Sequence, residues 1–281
     1  MPHINEACYK NEIKNEPVVT FGLFTDIQYA DIDDDGINYV KKRYYRNGIN
    51  AIKNATHKWK SISNFKFIIQ LGDLIDGKSK GINDSIPAMQ RVLNELNRLF
   101  EDKAQSDTPN LLHIWGNHEF YNFKRDYLIH TELNTAKCLN QNLETKANYY
   151  TFKVTDKLKL VCLDFYDFSC LGYDETSDEY KKAYSYLTTH NKNSDLDLVD
   201  GLMGNKKRLS LMNGSLSDEQ LKWLVLELVA CEKDGYKTIL CGHIPCDPRT
   251  CVPDCLAWNY KELLEIMWKF NKTVIAYFSG R

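Results

Sequence analysis

An α/β layered protein is the fold class this sequence predicts, and three observations predict it. Short apolar runs alternate with stretches of helical periodicity from Val18 to Trp115, each apolar run ends directly on a polar, chemically active turn, and the later chain adds a hairpin and further strand and helix patterns. Alternation of this kind gives a sheet with helices packed on it and gathers functional loops at the carboxyl ends of the strands.

Each element has its own signal. Val18 to Phe24 reads as a buried strand ending at Thr25-Asp26, and Arg43 to Trp59 carries apolar residues at helical spacing. Phe65 to Leu71 is a second apolar strand, ending at Gly72-Asp73. Pro87 to Lys103 is a helix with Met89, Val92, Leu93, Leu96 and Leu99 on one face. Asn110 to Trp115 is a third strand, closed by Gly116-Asn117. The runs Asn148 to Val154 and Leu158 to Leu163, separated by Thr155-Asp156-Lys157, predict a hairpin. Residues 170–210 form a polar excursion with some helix. Ser217 to Gln220 is a capping box opening a helix through Trp223, Leu226 and Leu228. A strand over Lys237 to Cys241 ends at Gly242-His243, and a helix over Tyr260 to Lys269 precedes a last strand, Thr273 to Phe278.

Composition narrows the function. At 281 residues with 43% apolar content, the chain can bury a sizeable core, and a single domain over residues 17–281 is expected after a polar segment at 1–16. The balance of 36 basic against 38 acidic residues leaves a net charge of −2, so no global field attracts nucleic acid or an anionic membrane. No apolar run approaches the ~20 residues of a membrane span, and the opening residues lack the apolar centre of a secretory signal. The nine cysteines lie scattered, as suits buried thiols in a reducing compartment. Cys246, Cys251 and Cys255 include no CxxC pair and are interrupted by prolines, so structural zinc is not expected there. A cytoplasmic, monomeric protein acting on a small molecule is the expectation.

The strand-end residues carry the chemistry. Hydrolysis of a phosphate ester or anhydride needs a nucleophilic oxygen and neutralised phosphoryl oxygens, which two metal ions ~3.5–4 Å apart can supply. Such a pair needs one bridging carboxylate and neutral O and N donors around it. Asp73 suits the bridge. Asp26 and Gln28, two positions apart, point the same way and can share one ion, and Asn117 and His243 suit the other. His118 is placed to donate a proton or hydrogen bond to a leaving or phosphoryl oxygen, with Asp76 nearby and Glu119 as its orienting partner. Each piece alone has a plainer reading, since Gly-Asp and Gly-Asn are ordinary turns. Their shared placement at strand ends, in this order, favours the metal reading. Arg43, Arg46 or Arg125 could meet a phosphate, Tyr121 or Trp258 a base, and the segment from Cys255 to Tyr260 could line the pocket.

Asp26-Ile27-Gln28, Gly72-Asp73-Leu74-Ile75-Asp76, Gly116-Asn117-His118-Glu119 and Gly242-His243 resemble the motifs of the calcineurin-like metallophosphoesterases. Most members place His where Gln28 stands. Gln there, with Arg43-Tyr44-Tyr45-Arg46, Asn213-Gly214-Ser215-Leu216-Ser217 and Cys255-Leu256-Ala257-Trp258-Asn259-Tyr260, is similar to the manganese-dependent ADP-ribose/CDP-alcohol diphosphatases. The resemblance implies a sandwich of two mixed β-sheets flanked by helices, and cleavage of ADP-ribose, CDP-choline or CDP-ethanolamine to a nucleoside monophosphate and a second phosphorylated product. It makes Asp26, Gln28, Asp73, Asn117 and His243 metal ligands and His118 the catalytic histidine. An amide oxygen at Gln28 shifts preference from zinc toward manganese or magnesium. The family pattern also predicts Gly-His-x-His and further strands after the last strand, whereas this sequence reads Ser279-Gly280-Arg281. An arginine cannot replace an imidazole ligand because it stays protonated, so weakened metal binding, or a fold retained as a binding protein, is a second expectation. A third, a phosphoesterase acting on phosphomonoesters or cyclic nucleotides, fits Gln28 less well.

Overall fold

The computed structural model describes residues 19–35, 42–102 and 108–281; the expected segment 1–16, Val18 and Lys103 lie outside the described residues. In chain order, β1 (Thr20–Phe24) is followed by α1 (Asn47–Lys60), β2 (Phe65–Gln70), the single turn α2 (Lys78–Gly81), α3 (Ser85–Asn97) and β3 (Leu111–His113). Short helices α4 (Asn117–Asn122), α5 (Arg125–Leu128) and α6 (Thr135–Cys138) lead to the hairpin of β4 (Tyr150–Thr155) and β5 (Leu158–Cys162). The excursion holds α7 (Asp178–His190), and α8 (Asp218–Lys233), β6 (Lys237–Gly242), α9 (Tyr260–Lys269) and β7 (Val274–Ser279) follow.

Two sheets result, of order β1-β2-β3 and β4-β5-β6-β7. The second is mixed, with β4 antiparallel to β5 and the rest parallel. The first is wholly parallel, not mixed as expected. Its strands are joined by helical crossovers, and only a tight turn such as Thr155-Asp156-Lys157 reverses a neighbour. Period-two alternation then sorts the faces. Phe67, Ile69, Leu71, Leu112 and Ile114 meet Tyr150, Phe152, Leu160, Cys162, Ile239 and Cys241 between the sheets. The opposite faces carry Ile68 against α1 and α3, and Val161 and Leu240 against α8 and α9, giving four layers.

Some boundaries move for identifiable reasons. The helix expected from Arg43 begins at Asn47, because Arg43 exchanges backbone hydrogen bonds with Asp35 (2.7 and 3.2 Å). Ser217 caps α8 by accepting the Gln220 N–H at 3.1 Å, but the Gln220 side chain turns to the Asp164 backbone, so the reciprocal half of the expected box is not formed. α8 buries Gln220, Leu224, Leu228 and Cys231, and Leu226 faces solvent. Among the described residues no helix is long and apolar enough to cross a membrane.

His113 lies on β3 opposite Gln70, 2% exposed, with no partner for Nδ1. Burial holds its ring down to about 4 from the ordinary 6.5. Between those values the unfolded chain takes up a proton that the folded state refuses, so stability should fall as pH drops through the window, by about 3 kcal/mol at its acid end. Urea midpoints from pH 7 to 4 should show this slope, and His113→Phe should flatten it; an equal slope in both proteins would discharge His113 from the effect.

Candidate metal centre

The loops after β1 and β2 are stitched together before any side chain is considered. Asp26 N–H donates to Gly72 O at 3.1 Å and Gln28 N–H to Asp73 O at 2.9 Å. The register forces Asp26, Gln28 and Asp73 into the left-handed region, at φ of 53°, 43° and 60°. For a non-glycine residue each such conformation costs about 1–3 kcal/mol, which the surrounding hydrogen bonds sustain. Gly72, at φ 107°, has no alternative: a Cβ there would lie 2.4 Å from His243 Nδ1 and 2.8 Å from Gly116 N.

The five expected ligands converge. Asp26, Asp73 and His243 can each place one donor atom within 4.8 Å of the others. Gln28 Nε2 lies 3.0 Å from Asp73 Oδ2 and 3.4 Å from Asp26 Oδ1, and a half-turn of the carboxamide would offer its oxygen at the same place. His243 Nδ1 is 2.8 Å from Leu71 O, a contact that requires the proton on Nδ1 and, in the neutral ring, leaves Nε2 as the lone-pair face. Nε2 then faces Asn117 Oδ1 at 3.2 Å and Asp73 Oδ1 at 3.6 Å. Three acceptors aimed at one another are what a bound cation would satisfy. With four oxygen-bearing ligands and one imidazole, the donor set fits manganese or magnesium better than zinc. Burial alone would raise the Asp73 carboxyl, but the His243 and His118 rings, the His118 N–H and Gln28 outweigh it and hold it low.

His118 faces the same point. Gly77 N–H donates to its Nδ1 at 2.8 Å, so the neutral ring carries its proton on Nε2, 3.9 Å from Asp73 Oδ2. That tautomer is a hydrogen-bond donor toward the centre. Asp76 Oδ2 lies 3.5 Å from Nδ1 and also accepts from Arg43 at 3.2 Å, while the Tyr121 ring packs 5.0 Å from the imidazole. Glu119 does not orient His118 as expected. It is buried and accepts the N–H groups of Gly116 (2.6 Å), Asp73 (2.8 Å) and Leu74 (2.8 Å), tying the second and third strand-end loops together. Burial, with the Asp73 charge, pushes its carboxyl up to about 7 against those three donors.

Other expectations divide. Arg43 reaches Gln28 Oε1 at 2.5 Å and stands at the rim, half exposed. Arg46 is spent on Asp31 and Asp33 at the surface. Arg125 cannot meet a phosphate: it is buried against Asp164 at 2.7 Å. Trp258 cannot stack on a base either, being 1% exposed in a core with Cys170, Ala183 and Leu187 that belongs to the excursion. Cys255 is partly buried beside Arg281. Arg281, standing where an imidazole was expected, donates its backbone N–H to Asp26 Oδ2 at 2.9 Å and its guanidinium to Met212 O at 3.1 Å. Sequence reasoning missed Tyr166, whose buried hydroxyl lies 3.3 Å from Asn117 Oδ1. It sits just past the end of β5 with no motif around it, and only that strand-end position could have flagged it.

The calcineurin-like phosphoesterase family model matches residues 19–277. The manganese-dependent ADP-ribose/CDP-alcohol diphosphatase of Bos taurus is 35% identical over 95% of this chain and 78% of its own length. That of Homo sapiens is 34% identical over 95% and 77%. A crystal structure of a dimetal phosphatase from Danio rerio superposes with a TM-score of 0.85 at 34% identity, over 94% of this chain and 81% of that one.

Proposed function

Since the chain belongs to the calcineurin-like phosphoesterases, and among them to the manganese-dependent ADP-ribose/CDP-alcohol diphosphatases, we propose that it hydrolyses the pyrophosphate bond of ADP-ribose and CDP-alcohols. The observation that carries the reading is the convergence of Asp26, Gln28, Asp73, Asn117 and His243 at one edge of both sheets. In this reading Asp26, Gln28 and Asp73 would hold one divalent cation, and Asn117 and His243, with Asp73, would hold a second. Manganese fits best, and when bound the ions would activate water and neutralise phosphoryl oxygens. One water is consumed, one P–O bond of the anhydride breaks, and a nucleoside monophosphate leaves with a second phosphorylated product.

The protein's own groups supply the rest. His118 Nε2–H donates a hydrogen bond to the phosphoryl or leaving oxygen, and the Gly77 N–H, donating to Nδ1, holds the ring. Glu119 fixes the Asp73 backbone and with it the direction of the Asp73 carboxylate. At the rim Arg43 pairs with a phosphate, and Tyr121 and Cys255 line the substrate's path. The domain spans residues 17–281 and acts as a cytoplasmic monomer on small nucleoside diphosphate derivatives, with no nucleic-acid or membrane partner.

Purified protein with Mn²⁺ should release AMP from ADP-ribose and CMP from CDP-choline, and leave p-nitrophenyl phosphate and cyclic nucleotides untouched. Turnover of the last two alone would transfer the chain to another phosphoesterase class, and Mn²⁺ binding with no turnover would favour a binding protein. His118→Ala should slow turnover by about a hundredfold while Mn²⁺ stays bound. Full activity in that variant would take the histidine out of the mechanism.

A further inference from the structure

Tyr166 is fully buried and fixed from behind. Its backbone N–H donates to Asp164 Oδ1 at 2.9 Å, and Asp164 is in turn held by Arg125 (2.7 Å), by the Asn148 N–H (3.1 Å) and by both ends of the Gln220 amide (3.0 and 2.9 Å). The Phe120 ring, 5.1 Å from that of Tyr166, limits its swing. So braced, the phenol reaches Asn117 Oδ1 at 3.3 Å.

That contact bears on a specific weakness of Asn as a ligand. A carboxamide presents nearly the same shape whether its oxygen or its NH₂ points inward, and only the oxygen can bind a cation. Its oxygen has two lone pairs, so one can accept from a hydroxyl while the other faces a metal. Resting on the reading of Asn117 as a ligand, we infer that Tyr166 is a positioning residue of the metal centre: its O–H donates to Asn117 Oδ1 and keeps that oxygen, not the NH₂, turned inward beside His243. The same hydroxyl also lies 3.5 Å from Arg281 Nη1, a second donor, which leaves the phenol's own proton free for Asn117.

The test is Mn²⁺ binding itself, followed by the loss of the free-ion EPR signal on titration, in the wild type, Tyr166→Phe, Asn117→Asp and the double variant. Tyr166→Phe keeps the ring and should leave the metal-free melting temperature near that of the wild type. Its Mn²⁺ affinity should fall about tenfold, the size of effect seen when a ligand loses its orienting partner. In the Asn117→Asp background the same change should have less than a threefold effect, because both carboxylate oxygens ligate and none needs choosing. Equal Mn²⁺ affinity in wild type and Tyr166→Phe would overturn the inference, as would an equal loss in both backgrounds. If the wild type itself binds no Mn²⁺, the ligand reading falls with it, a result distinct from either of these.

Discussion

Asp73→Asn should cut metal-dependent turnover by more than about a thousandfold, some 4 kcal/mol of barrier, and should also leave the metal-free protein less stable than the wild type. The two halves of this expectation come from one fact. Asp73 is a carboxylate taken wholly out of water, 1% exposed, and placed beside a second carboxylate, Asp26. Neutralising it relieves a desolvated charge but forfeits the larger attraction of its surroundings, which hold the carboxyl low, although Asn keeps the oxygen that accepts the His118 N–H at 2.8 Å. Gln28 loses an acceptor at 3.0 Å, and turning its amide would give up the bond its oxygen accepts from Arg43 at 2.5 Å. What Asn cannot supply is the full negative charge that would hold the proposed cations. Thermal melts with and without Mn²⁺ separate the outcomes: the wild type should gain stability on adding the ion, by mass action, and the variant should not. Turnover within tenfold of the wild type would take Asp73 out of the proposed cation site.

Arg125→Met should cost about 3–5 kcal/mol, a large share of the stability of an ordinary domain. The guanidinium and its Asp164 partner are each 1% exposed, joined at 2.7 Å. Trp115, Phe120 and Tyr173 surround the cation at 5.3, 4.9 and 4.8 Å, and Lys146 O accepts a further bond at 2.8 Å. Burial works against the arginine's charge and Asp164 overrides it. Methionine fills similar space but strands the Asp164 carboxylate with only backbone donors. Adding Asp164→Leu should therefore cost less than it does alone, and urea unfolding of the four proteins measures the difference. Strict additivity would mean that the pair is not coupled, whatever its distance.

Much of the candidate centre was legible because its proposed ligands sit where the sequence changes period. Asp26, Gly72-Asp73, Gly116-Asn117-His118 and Gly242-His243 each follow an apolar run directly, and parallel strands must deliver such residues to one edge. The hairpin at Thr155-Asp156-Lys157 and the helix Tyr260–Lys269 were equally plain, since turn chemistry and periodicity are local. Side-chain direction after a strand end is not local. Whether Arg125 turns out to a phosphate or in to Asp164, whether Glu119 serves His118 or three backbone amides, and whether Trp258 faces a base or the Cys170 core all depend on partners remote in sequence. Tyr166 was invisible for the same reason: its meaning lies in Asn117, from which only folding makes it a neighbour.

The left-handed backbone at Asp26, Gln28 and Asp73 has an outcome for anyone trying to toughen this protein. A screen for heat resistance will meet glycine as the residue that relaxes these positions, at the cost of the side-chain hydrogen bonds they make. Any such relaxation would also strip a donor from the proposed cation site, so backbone comfort and chemistry would pull in opposite directions at the same three codons.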